Sequence, residues 1–70
     1  MCLLKVYLEK GGSKKLIAED VALVVREGSG IKLRSLELMD AVSLEKVDIS
    51  LIDTLNSVMI LKPKTEEGAS

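Results

Sequence analysis

Cys2 is the one cysteine of this 70-residue sequence, and it stands one peptide bond from the amino group of Met1. A thiolate in that position has two nitrogen donors beside it, the terminal amine and the Cys2 amide, and the three can close adjacent chelate rings on one ion. An N,N,S donor set suits a square-planar metal such as Ni(II) or Cu(II). Zinc prefers tetrahedral sites and magnesium prefers oxygen ligands. If methionine is removed, the amine of Cys2 itself remains a chelating donor. One chain carries one thiol, so a site with two thiolates requires a two-fold homodimer whose N-termini approach the axis. The competing reading is structural: Cys2 shares its strand face with Leu4, Val6 and Leu8, where a cysteine serves as a small hydrophobe.

The other candidates for chemistry are weaker. The sequence has no histidine, and so lacks the usual neutral-pH proton shuttle and the commonest metal ligand. Ser13, Ser29, Ser35, Ser43, Ser50 and Ser57 fall in turns or on strand faces, where satisfying local backbone groups is their ordinary work. Asp48 and Asp53 resemble a carboxylate pair, but their odd spacing puts them on opposite faces of a regular strand. Gly11-Gly12-Ser13-Lys14 lacks the spacing of a phosphate-binding loop, and Gly28-Ser29-Gly30 lacks a third glycine; tight turns explain both. The sequence therefore reads as a binding protein and not as an enzyme.

The elements that position these residues are short strands. Cys2 to Glu9 alternates, with Leu3, Lys5, Tyr7 and Glu9 opposite the Cys2 face. Two glycines at Gly11 and Gly12 permit a tight reversal, and Lys14 to Ala18 returns as a second strand. Glu19-Asp20 punctuates the chain before a third strand, Val21 to Arg26, which is dense in β-branched residues. A Gly28-Ser29-Gly30 turn leads into Ile31 to Arg34, whose apolar and basic residues alternate. From Leu36 to Leu44 the apolar spacing fits a bent strand or a turn of helix, and a bend is the expectation. Lys46 to Leu51 alternates again, Asp53 to Ser57 supplies reversal chemistry, Val58 to Leu61 is a last strand, and Pro63 ends it. The result is an all-β fold of five to six strands, a small curled antiparallel sheet or partly open barrel. Residues 1–62 form one β domain, and 63–70 are expected to be a disordered tail.

Composition narrows the partners. A 70-residue chain sits where one core barely outweighs chain entropy, and association with a second copy is the simplest additional source of stability. The hydrophobic fraction is 47% but Tyr7 is the only aromatic, so Leu, Ile and Val are expected to fill the core. Ten basic and eleven acidic residues give a net charge of -1, which gathers neither phosphate backbones nor anionic lipids. No run approaches the roughly 20 apolar residues of a membrane span, and no secretory signal pattern opens the sequence. The expected location is the cytoplasm, whose reducing conditions keep Cys2 a free thiol.

Several of these stretches together resemble a known family. They are the opening Met1-Cys2 followed by Lys5-Val6-Tyr7-Leu8, Glu19-Asp20-Val21, the Gly28-Ser29-Gly30 turn, Val47 to Asp53, and Val58-Met59-Ile60-Leu61. Over nearly the whole of residues 1–62 the sequence resembles the CooT family, whose members are small homodimers with a curled β fold similar to Sm-like or SH3-like barrels. The resemblance implies a role in nickel delivery for carbon monoxide dehydrogenase maturation. It also implies a Ni(II) site built from the cysteine at this position in both subunits, here Cys2, with Met1 beside it, and a nickel enzyme as client. The sequence departs from the family pattern at Leu36 to Leu44, where a turn rich in aromatic and glycine residues gives way to Leu38-Met39-Asp40-Ala41.

Two alternatives follow from the same residues. An Sm-like shape suggests an RNA-binding module, against which stand one aromatic, near-zero net charge and a basic patch no larger than Lys32 and Arg34. Alternatively, Cys2 pairs with a second copy as an intermolecular disulfide in a structural dimer.

Overall fold

The computed structural model describes residues 3–35 and 41–64. Six strands make one sheet: β1 (Leu4–Lys10), β2 (Ser13–Glu27), β3 (Gly30–Ser35), β4 (Ala41–Leu44), β5 (Val47–Asp53) and β6 (Val58–Pro63). Their order is β4-β3-β2-β1-β6-β5. The all-β, curled-sheet expectation holds. The two edge strands, β4 and β5, are consecutive in the chain and joined by Glu45-Lys46 alone, so the sheet has to curl until its margins approach. The β2–β3 turn fastens that closure, because the Ser29 carbonyl accepts the amides of Lys46 (3.0 Å) and Val47 (3.4 Å).

Turn chemistry sets the hairpins as expected. Gly11 and Gly12 have φ of +61° and +85°, values that a side chain would strain, and they reverse the chain between β1 and β2. Gly30 is required for a different reason: a Cβ there would lie 2.6 Å from the Leu44 carbonyl oxygen, so β3 approaches the end of β4 only without one.

Three features depart from the sequence reading. Glu19-Asp20 does not separate two strands; it bends one 15-residue strand, β2, whose first half pairs with β1 and whose second half pairs with β3. Asp20 takes φ +52°, a left-handed conformation that aspartate tolerates better than most residues, and register shifts on both sides of Val21 turn the strand without breaking its ladder. Within the undecided segment, Ala41–Leu44 is a strand paired with β3, while residues 36–40 lie outside the described residues. Finally, β1 and β6 run parallel, whereas the other four strand pairs are antiparallel.

The core is small and apolar: Val6, Val21, Ile31, Leu33, Val47, Met59 and Leu61 are buried, with Leu4, Leu8, Ile17, Ala18, Val24 and Leu44 packed against them. Aliphatic residues dominate as expected, with Met59 added to them. Tyr7 is half-buried and points away from this cluster, since Val6 and Leu8 on either side of it face inward. Pro63 is the last residue of β6, and the next amide, of Lys64, donates to the Lys46 carbonyl at 2.7 Å. Residues 65–70, most of the expected tail, lie outside the described residues.

Candidate functional site

Met1 and Cys2, the two expected metal-binding residues, lie outside the described residues. The structure does define the end of the sheet at which they join it. Leu3 and Leu4 are half-buried, Leu4 packs on the core, and Leu4 pairs with Val21 at the bend of β2. Val21 in turn pairs with Ser35, the last residue of β3, whose hydroxyl donates to the Glu19 carbonyl at 3.1 Å. On the other side of β1, the Lys5 amide donates to the Ser57 carbonyl at 3.0 Å, and Lys5 pairs with Val58. The chain thus enters β1 between the β2 bend and the β5–β6 turn.

That turn is built by one carboxylate. Asp53 Oδ1 accepts the backbone amides of Leu55 (3.0 Å) and Asn56 (3.1 Å), and Oδ2 accepts the Asn56 side-chain amide at 2.9 Å. Hydrogen bonds from the Asn56 side chain and backbone hold the Asp53 carboxyl below its usual range, and the Leu55 amide adds to them. Both oxygens already have donors, which explains the residue as a turn former. The same arrangement projects Leu55, 89% exposed, beside the entry to β1.

The remaining candidates resolve into structural roles. A β-bulge between Ile49 and Leu51 adds a residue to β5, so Asp48 and Asp53 lie on the same face, opposite Lys62 and Val58, and not on opposite faces as regular alternation requires. Those partners stand four positions apart along β6, about 13 Å of strand, too far for a shared acid-base step. Asp48 instead receives Arg26 at 3.5 Å and Lys64 at 3.9 Å. Lys32 of the small basic patch pairs with Glu27 at 3.6 Å. An open depression of 460 Å³ lies between residues 16–20 of β2 and Ser35 and Val42. Among the described residues, no three Cys, Asp, Glu or His side chains converge to hold a metal, and no helix is long and apolar enough to cross a membrane.

Sequence alternation alone does not reveal the pattern on the face turned away from the core. Pairing registers place Leu16, Tyr7, Ile60 and Leu51 side by side across β2, β1, β6 and β5. The outer two are substantially exposed, Leu16 at 41% and Leu51 at 46%. Finding this row requires knowing that β1 sits beside β6, a pairing of distant segments that no local pattern announces.

No curated protein sequence matches the chain. A family model does: the one described as CO dehydrogenase accessory protein CooT matches residues 1–62, a span that includes Met1-Cys2 and nearly all of the curled sheet. The chain therefore belongs to the CooT family and is an accessory protein of carbon monoxide dehydrogenase, not itself an enzyme.

Proposed function

We propose that this protein binds Ni(II) through Cys2 at a homodimer interface and passes the ion to carbon monoxide dehydrogenase during its maturation in the cytoplasm. The observation that carries this reading is the extent of the family match, which starts at residue 1 and so takes in the one thiol of the chain. The donor chemistry agrees with it. A thiolate, a backbone amide nitrogen and an amine form a set that nickel accepts in square-planar geometry, and a second chain supplies a second thiolate.

Capture requires the thiol, and any amide nitrogen that binds, to lose a proton. Delivery is ligand exchange: a donor of the client enzyme replaces a Cys2 thiolate on the ion, the thiolate regains a proton, and nickel keeps its +2 charge throughout. Apart from the protons lost on capture and regained on release, the bonds broken and formed are metal-ligand bonds and no electrons move, so no reductant is needed.

The test is an absorption titration of the reduced protein with Ni(II), beside the Cys2→Ser variant. Wild type should develop thiolate-to-nickel charge-transfer bands that saturate at one ion per homodimer, and the variant should not. Indistinguishable titrations would end the proposal.

A further inference from the structure

The sheet has two edges, and they are not guarded equally. In β5 the bulge between Ile49 and Leu51 breaks the register, Asp48 is engaged by Arg26 and Lys64, and the Val47 amide donates to the Ser29 carbonyl. Bulges, charges and covering loops are the devices that keep foreign strands off an edge. β4 has none of them. Its residues, Ala41-Val42-Ser43-Leu44, carry no charge and no proline, and their pairing with β3 runs without a register shift. Among the described residues no other strand pairs with β4. In an antiparallel ladder alternate residues turn their amide and carbonyl away from the partner strand, so β4 presents backbone donors and acceptors along a regular margin.

The side chains around that margin define what adds to it. On the core side Val42 pairs with Leu33, yet Leu33 is 1% exposed and Val42 is 40% exposed, because none of the described strands lies beyond Val42 to cover it. On the other side Ala41 and Ser43 are small and exposed, and behind them in the same rows of β3 stand Arg34 and Lys32. Neighbouring strands lie about 4.8 Å apart, so an added strand stands roughly 10 Å from β3. Across a small residue of β4, a carboxylate on that strand and a basic side chain of β3 reach towards each other. Lys32 already pairs with Glu27, and Glu45 follows the Leu44 end of β4, so among the described residues the positive charge is least offset in the Arg34–Ala41 row. The segment that fits is extended, with a carboxylate beside Ala41 and an apolar residue beside Val42. Successive residues of a strand face opposite sides, so alternation of acidic and apolar residues meets both requirements.

We propose that the edge of β4 is the docking site for the client, carbon monoxide dehydrogenase, which adds to the sheet an extended segment of alternating acidic and apolar residues. This deepens the accessory role and rests on it, though not on the identity of the nickel ligands. Main-chain hydrogen bonds supply the attraction and the flanking side chains supply the selection. A four-residue ladder is short, which suits a partner that has to let go after delivery. Because β3 and β2 stand between β4 and β1, a strand added there leaves the start of β1 uncovered.

The experiment joins calorimetric binding of nickel-free carbon monoxide dehydrogenase to amide exchange of the full chain. In the complex, exchange at residues 41–44 should slow, while exchange at Val47–Asp53 should not change. Val42→Lys places a charge on the edge, and Arg34→Glu reverses the charge behind it; each should weaken binding at least about tenfold. Circular dichroism checks that both variants are folded. Binding without added protection at 41–44, or variants that bind as wild type does, would overturn the edge and leave the accessory role standing. A wild type that does not bind the enzyme would overturn delivery by direct contact, and the docking site with it. Slow exchange of all four β4 amides in the protein alone would also overturn the proposal, assigning the edge to a second copy if it depends on concentration and to this chain's own residues if it does not. Val42→Lys should titrate with Ni(II) as wild type does; a variant that loses the ion together with the client would overturn a docking site separate from the site of capture.

Discussion

Asp53 and Asn56 close the β5–β6 turn on each other, with Asp53 Oδ1 accepting the Asn56 backbone amide and Oδ2 accepting its side-chain amide. The turn they fix ends at Ser57, whose carbonyl holds the amide of Lys5, so this pair sets where β1 begins. Hydrogen bonding lowers the folded pKa of Asp53, and the unfolded chain therefore binds the more protons as acid is added. Its contribution is fully present above the ordinary aspartate pKa of about 3.9 and is lost as pH falls through the lower, folded value. Asp53→Ala should melt below wild type at neutral pH, and thermal scans at decreasing pH should show that deficit close. A deficit independent of pH would refute the carboxylate's role.

Leu61 is fully buried at the centre of the core and Leu55 is 89% exposed. Leu61→Ala should cost about 2–5 kcal/mol, as much as a domain of this size has to lose, so its urea unfolding should lose its cooperative transition. Leu55→Ala should shift stability by no more than about 0.5 kcal/mol.

Two glycines separate steric from conformational cost. At Gly30 an added methyl meets the Leu44 carbonyl at 2.6 Å, and since that neighbour is backbone, Gly30→Ala should cost about 1–3 kcal/mol in chemical denaturation. At Gly12 nothing lies within 4 Å, but φ is +85°, so Gly12→Ala should cost about 1–2 kcal/mol through backbone strain alone. Gly30→Ala should also loosen β4, visible as faster amide exchange at residues 41–44, which Gly12→Ala should leave unchanged.

Asp20 holds φ +52° in the bend of β2. Asp20→Gly should be tolerated, whereas Asp20→Val should destabilise by about 1–2 kcal/mol, because a β-branched side chain resists the left-handed conformation. Equal melting temperatures for the two variants would refute this account of the bend.

Nickel affinity should rise with pH across the range in which a thiol ionises, near about 8.5 for a free cysteine, because coordination releases that proton. Competition titrations against a chelator of known proton linkage measure this. A flat profile would remove the thiolate from the ligand set.

Much of the fold is legible in the sequence because its turns rely on residues with single purposes. Gly11-Gly12 and Asp53 to Ser57 mark reversals, and period-two alternation identifies β1, β3 and β5. Asp20 escapes a local reading because acidic residues usually interrupt strands; a bulge lets one remain inside the ladder while bending it. The same kind of bulge in β5 reverses the expected relation of Asp48 to Asp53 by adding one residue to the alternation. The parallel β1–β6 pair joins residues more than 50 positions apart, and nothing local encodes it. Of the candidate site, the sequence supplies the proposed ligand, Cys2, and the structure supplies the place where β1 starts.

Glu45-Lys46 ties the first rung of the ladder to the last. With Ser29 holding the start of β5 and a bulge interrupting the rest, that margin offers no long flat template on which further chains could zip. A polypeptide with so large an aliphatic share should thereby resist fibre growth along that edge.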